Sequence, residues 1–184
     1  EPLRIEVTGG HGGGPRPAAY ALAGANMFLW MATDPDRVHC LVSIVTESHI
    51  RCIRFFDELM GRSADHPVAM GSDTAEMMSP AMYREFVVPY YLRVWEEFKG
   101  TRGFHNCGRN EHLLDIIRDD LGINVNNGFG SCVAPEIVAE KMGGSVVMDG
   151  GPDAMFVKTA QPGQVIDECK RLIGILGARG GYVL

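Results

Sequence analysis

The chain of 184 residues has no apolar run long enough to cross a membrane. The longest, over 18–32, is interrupted by Gly24 and Asn26. It has no basic stripe either. The net charge of −6 is spread along its length, which argues against a nucleic-acid partner and against adhesion to anionic membranes. No charged start followed by an apolar stretch and a cleavage site is present, so no export signal is expected. CxxC spacing is missing as well, and the five cysteines (Cys40, Cys52, Cys107, Cys132, Cys169) are an odd number. Cys40, Cys52 and Cys169 fall on apolar helical faces, which predicts reduced core thiols and a cytoplasmic setting. Nothing in the chain signals an oligomeric state. Without repeats, low-complexity tracts or linkers, residues 1–184 read as one domain.

What is present is an ordinary globular balance, 46% apolar against 22% charged, arranged as alternating short and long apolar patterns. Strands are predicted at 3–8, 68–71, 103–105, 123–125, 146–148 and 182–184. Several lack polar alternation, as parallel strands covered on both faces do. Between them lie helical patterns with start and stop signals. Asp34-Pro35 opens a helix that Gly61 closes, with Val38, Leu41, Val42, Val45, Cys52, Phe55, Phe56 and Leu59 as its apolar stripe. Ser79-Pro80 opens another, which Pro89 divides before Gly100. Further helices are expected over 109–121, from Pro135 to near Gly143, and over 162–176. The last of these carries Val165, Ile166, Cys169, Leu172, Ile173 and Leu176 on one face.

Repeated strand-helix-strand units imply an α/β fold with a parallel sheet, either open or closed as a (β/α)8 TIM barrel. A barrel usually needs about 250 residues. A chain that starts almost directly in a strand is therefore expected to be a barrel incomplete at its N-terminus, with roughly two strands before Glu1.

In such folds reactive groups gather at the carboxyl ends of strands. Those ends read Thr8-Gly9-Gly10-His11-Gly12-Gly13-Gly14, Gly71-Ser72-Asp73-Thr74, His105-Asn106-Cys107-Gly108, Asn126-Asn127-Gly128 and Asp149-Gly150-Gly151. The glycine run lacks GxGxxG spacing and gives no support to a dinucleotide site. His105 and Cys107 are the sharpest signal, since residues two apart in extended backbone face the same way and can converge on a tetrahedral metal such as zinc. Further ligands must come from other loops. The plainer alternative is a satisfied histidine beside a buried thiol. Asp73 is a candidate general base or ligand anchor, or else a loop cap. Asp149 reads the same way. His11 either projects into the mouth of the sheet or merely occupies a turn. Cys132 is a possible third ligand or a plain loop thiol. His39, His49 and His112 fall on helices away from the strand ends, and His66 precedes a strand, at the opposite end from the chemistry.

The order of these segments resembles the uroporphyrinogen-decarboxylase superfamily. The resemblance runs through Gly12-Gly13-Gly14-Pro15, Ala21-Leu22-Ala23-Gly24, Asp34-Pro35, Gly71-Ser72-Asp73, Ser79-Pro80, Tyr83-Arg84-Glu85-Phe86 to Pro89-Tyr90, Asp149-Gly150-Gly151, and Gly180-Gly181-Tyr182-Val183-Leu184. It implies strands three to eight of that barrel. His105-Asn106-Cys107-Gly108 is similar to the His-x-Cys-Gly motif of the zinc-dependent, corrinoid-linked methyltransferases, and Asp149-Gly150-Gly151 resembles their Gly-Gly turn. The decarboxylases' Asp-Trp is replaced by Asn126-Asn127. The resemblance thus implies zinc held by His105 and Cys107, with a third cysteine ligand beyond Leu184. His11, Asp73, Asn127, Asp149 and Gly150 would line the substrate pocket. The expected function is methyl transfer between a corrinoid and a thiol or methylated small molecule, with a methylcorrinoid delivered by a partner protein. The alternatives are uroporphyrinogen decarboxylation, with Asp73 orienting the pyrrole nitrogens, or a corrinoid-binding barrel without turnover.

Overall fold

A computed structural model describes residues 13–128 and 132–184. The strand expected at 3–8 and His11 lie outside the described residues. The chain enters as two helices packed side by side, α1 (Pro15–Ala23) and α2 (Asn26–Thr33), both within the apolar segment to which no structure was assigned from sequence. The long helix α3 (Pro35–Met60) follows. Asp34 caps it by accepting from the backbone N–H of Arg37, and Gly61 ends it in the left-handed region. From there strands and helices alternate: β1 (Val68–Gly71), α4 (Pro80–Phe86), α5 (Val88–Glu97), β2 (Arg102–His105), α6 (Leu114–Asp119) and β3 (Val125–Asn127). The series continues with α7 (Pro135–Met142), β4 (Val147–Asp149), α8 (Ala154–Thr159), α9 (Pro162–Leu176) and β5 (Tyr182–Val183).

Every described strand pairs in parallel with the next, in the order β1-β2-β3-β4-β5. A doubly wound sheet reverses direction at a switch point, whereas a sheet wound one way without reversal is the construction of a (β/α) barrel. Helix-facing side chains make the core. Val68, Met70, Phe104 and Met148 are buried against the helical layer. Phe104 meets Tyr91 edge-on and Trp95 at a tilt, with ring centroids 6.0 and 6.5 Å away. Two hydrogen bonds pin α5 to β1, from Trp95 Nε1 to the Val68 carbonyl at 3.0 Å and from the Tyr91 hydroxyl to the Gly71 carbonyl at 2.5 Å.

Several sequence expectations need correction. The buried face of α3 is Val38, Val42, Val45, Thr46, Ile50, Ile53 and Asp57, while Cys52, Phe55 and Leu59 form an outward strip about half a turn away. The apolar pattern holds two strips there, and the neighbouring helices α1, α2 and α5 cover one. Cys40 is exposed like Cys52, and Cys169 is half-buried, so the cysteines on these helices are not core thiols. On α9 only Leu172 and Leu176 are buried, whereas Ile166 and Ile173 stand in the open. The strand expected at 123–125 begins two residues later, because the Asn124 side chain itself accepts the Arg102 N–H at 2.8 Å, and strand pairing then starts at Val125. The helix expected over 109–121 shortens to a 3₁₀ turn, Glu111–Leu113, followed by α6. Glu76 holds the Arg109 N–H at 2.6 Å and Asn110 turns back onto the preceding loop, which keeps these two residues out of the helix. Helix α8 was not expected; Asp153 caps it.

Candidate metal centre

Strand register puts Gly71, His105, Asn127, Asp149 and Val183 level with one another across the sheet. Side chains alternate along a strand, so His105 and Asn127 face away from the helix-facing Phe104 and Asn126. The ladder runs one step past the strands, with the Asn106 N–H donating to the Asn127 carbonyl at 3.1 Å and the Ser72 N–H to the His105 carbonyl at 3.1 Å. This extension keeps Cys107 on the same side as His105. Asn106, wholly buried, points the other way and accepts from Asn110 Nδ2 at 2.5 Å, while the same amide donates to the Cys107 carbonyl at 2.8 Å. The buried Asn106 and Asn110 pair therefore fixes the Cys107 backbone. An asparagine four residues after another was the only sequence signal for it.

The donor atoms of Asp73, His105 and Cys107 all lie within 4.8 Å of one another, the one such grouping among the described residues. The Cys107 thiol donates to Asp73 Oδ1 at 3.0 Å, and His105 Nε2 lies 3.8 Å from the same oxygen. Zinc bonds of about 2.0–2.3 Å at tetrahedral angles place neighbouring donors roughly 3.3–3.6 Å apart. The observed separations bracket that span, so the donor set fits a tetrahedral ion with small side-chain adjustments. Burial, then the Asp73 carboxylate beside it, pushes the Cys107 thiol up to about 11.

The far side of the histidine is equally organised. His105 Nδ1 is 3.0 Å from Asn127 Oδ1, and Asn127 Nδ2 donates to Asp149 Oδ2 at 3.0 Å. The carboxylate can only accept here, which orients the amide and in turn makes Nδ1 the protonated ring nitrogen. The Nε2 lone pair is then free and aimed at Cys107 and Asp73. Such outer partners fix the tautomer of a metal-binding histidine. Asn127 and Asp149 thus contact the histidine and each other.

A cavity of about 340 Å³ opens beside the cluster. His105, Cys107, Gly128 and Gly150 form its inner wall, and Val133, Pro152 and Leu172 give it apolar sides. Arg171, Glu168 and Asp153, none of them foreseen from sequence, stand at its edge. Arg171 bonds Glu168 and Glu136 there. Cys132 is exposed and lines a separate depression with Arg109 and His112, away from the three donors. Of the other described histidines, His39 bonds Tyr90, His66 bonds Asp57 and His112 meets the Met78 carbonyl, while His49 lies on α3.

Residues 2–184 match the uroporphyrinogen decarboxylase (URO-D) family. The chain belongs to that family. It is also similar to a methylated-thiol--coenzyme M methyltransferase of Methanosarcina mazei, 28% identical over 107 residues that make up 56% of this chain. The match spans 28% of that relative's length. Among solved structures, a methyltransferase from Methanosarcina mazei superposes with a TM-score of 0.59 and 17% identity, over 75% of this chain and 40% of that one. At that identity the likeness concerns the fold.

In this URO-D chain Gly128 is what lets the histidine ring sit where it does. Its φ is +64°, and a Cβ there would stand 2.8 Å from His105 Cε1 and 3.0 Å from Nδ1. Gly128→Ala is expected to push the ring off Asn127 and weaken zinc binding by about ten- to a hundredfold, the usual effect of losing an outer partner. A zinc titration against a chromophoric chelator reads this directly. Wild-type affinity in the variant would refute the positioning role.

Proposed function

We propose that this URO-D chain carries the metal-binding part of a zinc-dependent, corrinoid-linked methyltransferase, transferring a methyl group between a methylcorrinoid and a small thiol or methylated substrate. One observation carries the reading: His105 and Cys107 converge with Asp73 at a strand end beside an apolar cavity, and the histidine tautomer is preset for a ligand role. The similarity to a methylated-thiol methyltransferase agrees with it.

His105 and Cys107 would hold the ion. Zinc, when bound, supplies Lewis acidity that keeps a thiol as thiolate at neutral pH. The other functions fall to the chain itself. Asp73, more than half exposed and accepting from the Cys107 thiol, relays that proton to water before the ion is held. The Asn127 and Asp149 relay keeps Nε2 aimed. The apolar wall of Val133, Pro152 and Leu172 seats the body of the small molecule and limits water around its sulfur. Gly150 completes the pocket in this proposal. In transfer to a thiol, the thiol would lose its proton to water, its sulfur would bond the methyl carbon as the cobalt–carbon bond breaks, and both electrons of that bond would stay on the corrinoid.

The test is made on the full-length protein: zinc content, and loss of the methylcobalamin absorption when a thiol is added. Stoichiometric zinc with thiol-dependent demethylation is expected. Metal-free protein, or carbon dioxide release from a porphyrinogen that persists in Cys107→Ala, would overturn it. The raised thiol adds a pH signature. A protonated Cys107 must lose its proton to bind metal, so zinc affinity is expected to rise about tenfold per pH unit across neutral and mildly alkaline pH. Zinc competition titrations at a series of pH values check the slope.

A further inference from the structure

Arg16 is a buried cation that the function above does not use. It lies in the first turn of α1, fully enclosed, and its Nη2 donates to Thr74 Oγ1 at 2.9 Å. Its Nε and Nη1 have no partner among the described residues. Burial lowers the pKa of the guanidinium, and the neighbours acting on it are the phenols of Tyr91, Tyr83 and Tyr20 and the Asp73 carboxylate. Tyr83 and Tyr91 are themselves buried, and that burial pushes both phenols up, so they stay neutral. Asp73 is the carboxylate among these described neighbours.

Its hydrogen bond to Thr74 reaches an unusual residue. Thr74, next to Asp73, has φ +60°, and no other non-glycine residue among those described has a positive φ. A β-branched side chain resists that conformation, so something must hold it. Arg16 reaches the Thr74 hydroxyl across 58 positions of sequence and is held by the enclosing core. The effect is to turn the Asp73 carboxylate toward His105 and Cys107.

We propose that Asp73 is a third protein ligand of the metal and that Arg16, acting through Thr74, is the positioning residue that sets it. This rests on the metal reading above. The separations of Asp73 Oδ1, 3.0 Å from the sulfur and 3.8 Å from Nε2, are those of a donor close to its place in the set. With His105 and Cys107, Asp73 fills three of the four positions of a tetrahedron.

Zinc affinity and the visible spectrum of bound Co²⁺ in the full-length protein test it. Asp73→Asn is expected to weaken zinc binding by at least about tenfold and to alter the Co²⁺ ligand-field bands. Thr74→Val, which keeps the shape and removes the hydroxyl, and Arg16→Met, which removes the buried charge, are expected to weaken binding by about three- to tenfold. In the Asp73→Asn background neither should weaken it further, because their effect passes through Asp73. Undiminished zinc affinity in Asp73→Asn overturns the ligand assignment. An equal loss from Thr74→Val with and without Asp73 overturns the positioning role, and Thr74→Val gives that reading even if Arg16→Met does not fold. Wild-type protein that binds no zinc overturns both this inference and the function it rests on.

Discussion

Cys107→Ala is expected to abolish zinc retention, with affinity falling by at least about a hundredfold. A four-ligand zinc site is worth roughly 10–16 kcal/mol, so one thiolate accounts for about 3 kcal/mol or more. Two features should bring the loss near that limit. No other cysteine among the described residues stands in the cluster to substitute for it, since Cys132 lies in a separate depression. The Asn110 amide clamps the backbone around position 107, so the loop cannot easily shift to offer another donor. Chelator competition and metal content after dialysis measure the effect, with Cys132→Ala and Cys52→Ala as controls expected to keep wild-type zinc. A Cys107→Ala protein that keeps its metal would remove the centre from the position assigned here.

Phe104→Ala should cost about 3–5 kcal/mol of folding stability, the usual range for a buried aromatic. Phe104 is 1% exposed and is surrounded by Tyr91 and Trp95, which are themselves hydrogen-bonded to β1 and cannot move in to fill the space. The void would stay open, and for a domain of this size the melting temperature should fall by roughly 6–20 °C. Phe55→Ala is the contrast. That ring is 61% exposed, and its removal should change stability by no more than about 0.5 kcal/mol. Thermal and denaturant unfolding of both variants decide the matter; equal effects would mean that the core has been placed on the wrong side of the sheet.

The layout of the fold was legible where local chemistry dictates it. Asp34-Pro35, Ser79-Pro80 and Gly61 mark helix ends through capping and restricted backbone angles, and the helices begin and end there. Val68–Gly71 stands as expected because its apolar run leaves no alternative partner for the backbone. Reading failed where side chains compete with the backbone, as Asn124 does at the head of β3 and Asn110 at the start of the helical stretch after β2. It also failed where one helix carries two apolar strips, as α3 does, because sequence does not say which strip the neighbouring helices cover. In the candidate site, the spacing of His105 and Cys107 was enough to nominate them. The partnership with Asp73 was not legible, since it joins loops 34 residues apart, and nothing in the sequence marks Arg16 as buried.

The relay from Asp149 through Asn127 to His105 and the contact from Cys107 to Asp73 draw on four strands, and their links span 22 or 34 residues each. None of these links can form within a single hairpin or helix. During folding each must wait for chain closures that are slow and entropically costly. The donor set and its relay therefore come into being only once β1 to β4 have paired. A chain still partly assembled would offer an ion isolated thiols and imidazoles with no preset geometry, and metal capture becomes a report on finished topology.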